Sequence, residues 1–187
     1  MKPLLLITLI LSACAIDSST PIPITTGTGA QSSGFYDYCL DNEELFQCQY
    51  TYPELSSYAY TPYFAGLELT PELFKTLHDV NSDINFYTKY TTDPFNVWKD
   101  ARISNQGDCE DHAIAKMLEL IGKGVPQQAM GLVLTNVNSN PKSNHVVLVV
   151  STNQGAYVLD NRSDWVKPHF MMQGSFIHVP NYLKRAI

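Results

Sequence analysis

The chain has 187 residues and a formal net charge of −6, with 12 Lys and Arg against 18 Asp and Glu. No Lys/Arg cluster is present, so the phosphate neutralisation that drives nucleic-acid binding is missing and nucleic acid is excluded as a partner. Past its N-terminal segments about 150 residues remain, enough for one compact domain with one core.

Lys2 precedes an apolar run from Leu4 to Leu11, too short to span a bilayer as a mature helix but suited to the core of an export signal. The run ends in Leu11-Ser12-Ala13-Cys14, which resembles the lipobox at which bacterial lipoprotein precursors are cleaved and acylated. Residues 1–13 are therefore expected to be a removable signal and Cys14 to carry lipid. A generic secretory signal with an incidental Cys is the alternative. Ala15, rather than an acidic residue, follows Cys14 and suits delivery to the outer membrane. The expectation is an exported bacterial lipoprotein on the periplasmic face of the envelope, attached to the membrane by its acyl chains. Residues 14–34, rich in Ser, Thr, Pro and Gly, read as a flexible tether that places the folded part about 25 Å from its anchor. The folded domain is expected over residues 35–187.

Cys39 and Cys48 are close enough in sequence to pair in an oxidising compartment, which would remove unfolded-state entropy worth about 2.5 to 3 kcal/mol. Two unpaired thiols are the alternative that spacing leaves open. Tyr36, Tyr38, Tyr50, Tyr52, Tyr58, Tyr60 and Tyr63 fall in an irregular, Pro-containing stretch and read first as rings covering a small core, with a substrate groove as the second reading. Thr70-Pro71-Glu72 is a helix start, and Leu73, Leu77, Val80 and Ile84 carry the helical period to about Asn85. Asp93-Pro94-Phe95-Asn96 is a turn leading to Trp98, which is expected to pack beneath the next helix start. That next helix is capped by Asp108, with Asp111 three residues on resembling a capping box, and ends at Gly122. Strands follow at Gly131–Leu134, at His145–Val150 and at Ala156–Leu159. Helices first and an antiparallel sheet after them predict an α+β fold.

Cys109 falls in the first turn of the capped helix. Free Cys, with a pKa of about 8.5, is a weak nucleophile at neutral pH, and a helix N-terminus and a neighbouring imidazole are the two usual means of lowering that value. His145 opens one strand and Asp160 closes the next, and a hairpin at Ser151–Gly155 would bring those two ends together. Cys109, His145 and Asp160 are thus candidates for nucleophile, general base and orienting carboxylate. A buried inert thiol and a core histidine are the competing readings. His112, beside Glu110 and Asp111, has no partner at zinc-ligand spacing, and His78, His169 and His178 show no partner pattern.

Gly107-Asp108-Cys109-Glu110-Asp111, with Asn96-Val97-Trp98 upstream and Gly124-Val125-Pro126, Asn144-His145-Val146-Val147-Leu148 and Tyr157-Val158-Leu159-Asp160-Asn161 downstream, is similar to the bacterial transglutaminase-like cysteine proteinases. That group includes the LapG-type periplasmic proteases. The resemblance covers residues 70–165 and implies a papain-like, transglutaminase-type fold with the nucleophile at a helix start packed on an antiparallel sheet. It implies Cys109, His145 and Asp160 as the triad, and a calcium site for which Asp108, Glu110 and Asp111 are the matching acids. The same three acids already have a reason to exist at a helix N-terminus, and calcium needs six to eight oxygens, so three carboxylates would not suffice alone. The lipid anchor and the Tyr-rich stretch lie outside the resemblance, so the adhesin substrate and signalling partner of LapG-type proteases are not carried over.

The expected function is a membrane-anchored thiol peptidase acting on an envelope or surface protein through an acyl-enzyme. Acyl transfer to an amine, and a catalytically inactive lipoprotein that binds a protein partner, are the alternatives.

Overall fold

The computed structural model describes residues 33–45, 48, 67–95, 97–136, 144–168, 171 and 176–178. The expected lipid site at Cys14, the tether up to residue 32 and Tyr50, Tyr52, Tyr58, Tyr60 and Tyr63 lie outside the described residues. The first helix, α1, spans Ser33–Leu40, and its Cys39 is disulfide-bonded to Cys48, with Cα atoms 5.3 Å apart. Tyr38 and Phe35 of this helix are buried, and Phe35 meets the buried Trp98 edge to face at a centroid distance of 5.0 Å.

Helix α2, Pro71–Tyr87, begins where expected: Thr70 caps it by accepting the Leu73 N–H, and Pro71 takes the first position, where a missing N–H costs nothing. Its buried face is Leu77, Val80, Asn81 and Ile84. Strand β1, Lys89–Tyr90, pairs in parallel with β2, Gln106–Gly107, around the short helix α3, Ala101–Ser104. Helix α4, Cys109–Gly122, is the central element, with Glu110 through Met117 all buried. The helix runs through Gly122, and the left-handed residue behind it is Gly124, at φ 85°, where a side chain would be strained.

A single 3-10 turn, Gln127–Ala129, leads into a five-stranded antiparallel sheet. Its strands are β3 (Met130–Asn136), β4 (Asn144–Thr152), β5 (Gly155–Asp160), β6 (Ser163–Pro168) and β7 (Phe176–His178), in the order β6-β5-β4-β3-β7. The period of two divides β4 between two faces. Val146, Leu148 and Val150 join the main core with Leu77, Ile114, Met117 and Leu120 from the helices, whereas Val147 and Val149 form a second cluster with Val133, Ala156 and Val158. This is the α+β architecture expected from the order of helices and strands.

Candidate active site

Helix α4 packs on β4, and the hairpin from β4 to β5 closes at Thr152 opposite Gly155, which sets Leu148 opposite Leu159. From that register His145 and Asp160 converge at one end of the sheet. His145 Nε2 lies 2.7 Å from Asp160 Oδ1, with both side chains almost wholly buried. Asp160 is itself held: its Oδ1 also accepts the Arg162 N–H at 2.9 Å, and its carbonyl accepts from Asn85 Nδ2 of α2 at 3.1 Å. Asn81 of the same helix donates to the Ser163 carbonyl at 2.7 Å, so two side-chain amides clamp the turn that carries the carboxylate. Burial alone would raise the Asp160 carboxyl. The hydrogen bond and charge of His145, with the Arg162 N–H and the Lys116 charge, bring it below its ordinary range instead.

Cys109 is a free, half-buried thiol in the first turn of α4, and the Val146 N–H next to His145 lies within hydrogen-bonding reach of its sulfur. The expectation of a lowered thiol pKa does not describe this resting arrangement. Burial, then the charge of Glu110, push Cys109 up to about 12, against the favourable Val146 N–H. The thiol donates to Glu110 Oε2 at 3.1 Å. A helix N-terminus is a weak field beside an adjacent carboxylate and the loss of solvent, so the thiol is protonated here.

The capping box is also replaced. Asp108 has the extended N-cap backbone but its side chain makes no cap bond, and Asp111 Oδ1 instead accepts the Lys99 N–H at 2.9 Å. This frees the two acids for another arrangement. Asp93, Asp108 and Asp111 each present a carboxylate oxygen, all within 4.8 Å of one another. Ligand oxygens about 2.3 to 2.6 Å from one cation can be no farther apart than about 5 Å, so this set fits a hard divalent ion. Asp108 Oδ1 and Asp111 Oδ2 are buried without a hydrogen-bond partner. Lys99 Nζ lies 3.6 Å from Asp111 Oδ2 and 3.9 Å from Asp93 Oδ2. Burial carries the Asp111 carboxyl up to about 6 even so. Glu110, the third acid expected at a metal, is outside this group and faces the thiol, and Asp93, in the Asp-Pro turn, stands in its place.

Gly107 makes this packing possible: a Cβ there would sit 2.5 Å from both Cβ and Oδ2 of Asp111. Asp111 is fully buried and cannot withdraw. Gly107→Ala is expected to cost about 1 to 3 kcal/mol in urea unfolding and to displace the Asp111 carboxylate.

Tyr90, paired with Gly107 across β1 and β2, brings its ring within 6.3 Å of the His112 ring. Its hydroxyl is raised, by partial burial first and then by Cys109, Asp108 and Glu110. His112 sets its ring nitrogens against two backbone carbonyls, Nδ1 2.7 Å from Asp108 O and Nε2 3.3 Å from Thr88 O, and burial lowers its pKa, so the neutral ring donates to one of them. His78 packs on Trp165 at a centroid distance of 5.3 Å, His169 lies outside the described residues, and His178 is in β7. Asp93, in the carboxylate group, and Lys116, buried on the helix that carries Cys109, are residues that the sequence reading missed. A lysine two turns beyond Cys109 inside an apolar helix was a legible signal, whereas Asp93 had none besides its turn.

A thiol at a helix start, set against a strand whose imidazole is held by a carboxylate from the next strand, defines a thiol-enzyme scaffold of the transglutaminase-like cysteine protease type. The chain belongs to the family described as bacterial transglutaminase-like cysteine proteinase BTLCP, which matches residues 25–180. Among solved structures it is similar to calcium-bound LapG of Legionella pneumophila, at 24% identity and a TM-score of 0.49, over 60% of this chain and 65% of that one. EGTA-treated LapG of the same organism matches at 25% identity and a TM-score of 0.49, over 60% of this chain and 63% of that one. The match thus spans less than two thirds of each of those chains. No curated protein matches the chain significantly.

Proposed function

We propose that the protein is a thiol peptidase of the cell envelope that cleaves a protein substrate through an acyl-enzyme. The observation that carries this reading is the buried 2.7 Å hydrogen bond between His145 and Asp160 beside the Cys109 thiol. Asp160 holds the Nε2–H tautomer of His145, which leaves Nδ1 to accept the thiol proton. The Cys109 sulfur attacks the scissile carbonyl, the tetrahedral intermediate collapses to a thioester, and the imidazolium gives its proton to the departing amine. Water, deprotonated by the same imidazole, then releases the acid. The Cys109 backbone N–H, at a helix start with no intrahelical acceptor, is the first oxyanion donor.

Calcium belongs to the same proposal, with Asp93, Asp108 and Asp111 as its carboxylate ligands. Bound there, it supplies positive charge that offsets the repulsion of a Cys109 thiolate by the neighbouring acids. The raised Asp111 carboxyl means that its ionisation costs stability as pH rises through about 6, and a cation relieves that cost. Calcium at 100 times its Kd is therefore expected to stabilise the full chain by about 2.7 kcal/mol in thermal unfolding, reversed by chelation and lost in Asp111→Asn.

The export signal, the lipidated Cys14 and the outer-membrane location are proposed from the N-terminal sequence pattern. Incubating the full chain with a peptide library tests the chemistry. Cleavage that disappears in Cys109→Ala and His145→Ala supports the peptidase. Peptides joined to added amines would favour acyl transfer, and no turnover with partner binding intact in Cys109→Ala would favour a binding lipoprotein.

A further inference from the structure

Helix α4 carries one side chain that neither the fold nor the chemistry above explains. Lys116 is 1% exposed, within an apolar run that includes Ile114, Ala115 and Met117. A buried ammonium is normally matched by a close ion pair, and among the described residues no carboxylate lies within ion-pairing distance of its Nζ. Met would fill a similar volume without a charge to bury. The placement is therefore costly and calls for a reason other than packing.

Its position supplies one. Lys116 lies two turns beyond Cys109 on the same face of α4, with His112 between them, because residues three, four and seven apart align along a helix. That helix packs against β4 and β5. The carboxylates acting on Lys116 are Asp160, at the end of β5, and Asp164, in β6, while Lys116 in turn acts on His112 of its own helix. Asp160 is therefore acted on by two groups: the imidazole of His145 at 2.7 Å and, from beyond ion-pairing distance, the buried amine of α4.

We propose that Lys116 is a positioning residue of the active site, whose buried ammonium holds Asp160 ionised and so keeps His145 oriented as the base for Cys109. This inference rests on the thiol-peptidase reading. Burial, opposed by Asp160 and Asp164, carries the Lys116 amine down to about 7, so the charge is present below that pH and lost above it. Because the folded value lies below the unfolded one, the lysine destabilises the fold at and below neutrality, and removing it should stabilise the protein there.

The test follows acylation of Cys109 in the full chain by p-nitrophenyl acetate across pH, beside thermal unfolding. Lys116→Met is expected to slow acylation about tenfold below about pH 7, where the wild-type ammonium is charged, and to leave the rate nearly unchanged above it, because there the wild-type amine is neutral as well. Its Tm is expected to rise. Lys116→Arg, which keeps a cation, should recover most of the rate. A Met variant with the wild-type rate and pH profile overturns the proposal. So does one in which rate and Tm fall together, because that is the signature of packing alone. Should the wild type itself show no His145-dependent acylation, the peptidase reading fails and takes this inference with it; an active wild type beside an unaffected Met variant removes the inference alone.

Discussion

Asp160→Asn is expected to slow acylation of Cys109 by about 10³- to 10⁴-fold with the fold retained. The carboxylate accepts from His145 Nε2 at 2.7 Å and from the Arg162 N–H at 2.9 Å through the same oxygen. An amide keeps the size of the group but no longer stabilises an imidazolium, and its NH2 can turn toward the imidazole and favour the tautomer whose proton faces the thiol. Asp160 is held by Asn85 through its backbone carbonyl, a contact that the substitution leaves in place. The carboxyl is depressed in the fold, so its contribution to stability is present above the unfolded pKa of about 3.9 and is lost as pH falls through the folded value. Single-turnover acylation beside circular-dichroism melting separates the two effects. A wild-type rate in a well-folded Asn variant would remove Asp160 from the mechanism.

Glu110→Gln should act in the opposite direction and raise the rate of iodoacetamide alkylation of Cys109, by about 10- to 100-fold above neutral pH. The Cys109 sulfur donates to Glu110 Oε2 at 3.1 Å, and after burial the Glu110 charge is the largest cause of a thiol pushed up to about 12. Lowering that value by one to two units multiplies the thiolate fraction by about ten for each unit. The size of the effect depends on pH, because burial also raises the Glu110 carboxyl to about 7. Above that pH the carboxylate repels the thiolate. Below it the carboxylic acid resembles glutamine, and the two proteins should converge. Alkylation that slows in the Gln variant at alkaline pH would instead identify Glu110 as a group that helps to remove the thiol proton.

The difference between what was expected at the start of α4 and what is found there has one cause. Asp108 and Asp111 have the spacing of a capping box, and a capping box is a local device that requires only the helix itself. Two nonlocal partners override it. The Lys99 N–H takes one oxygen of Asp111, and the turn at Asp93 brings a third carboxylate beside the pair. Neither contact is encoded within one helical turn of Asp108. The protonated thiol has the same origin, since burial of Cys109 beneath the site and the rotamer that points Glu110 at its sulfur are properties of packing.

Local chemistry was sufficient for much else. Thr70, Pro71 and the apolar period specified α2, and the order of helices before strands specified the α+β class, because both depend on near neighbours and on which face must leave water. The short connection between β4 and β5 was enough to bring His145 toward Asp160, since an antiparallel hairpin returns its last residue to the level of its first. By itself, then, the sequence determined the elements, their succession and the approach of residues joined by one turn. The tertiary structure alone decided the oxygen cluster of Asp93, Asp108 and Asp111 and the protonated state of Cys109. Those features depend on desolvation and on the charge of residues distant in the chain, and both quantities exist only once the helices are closed against the sheet.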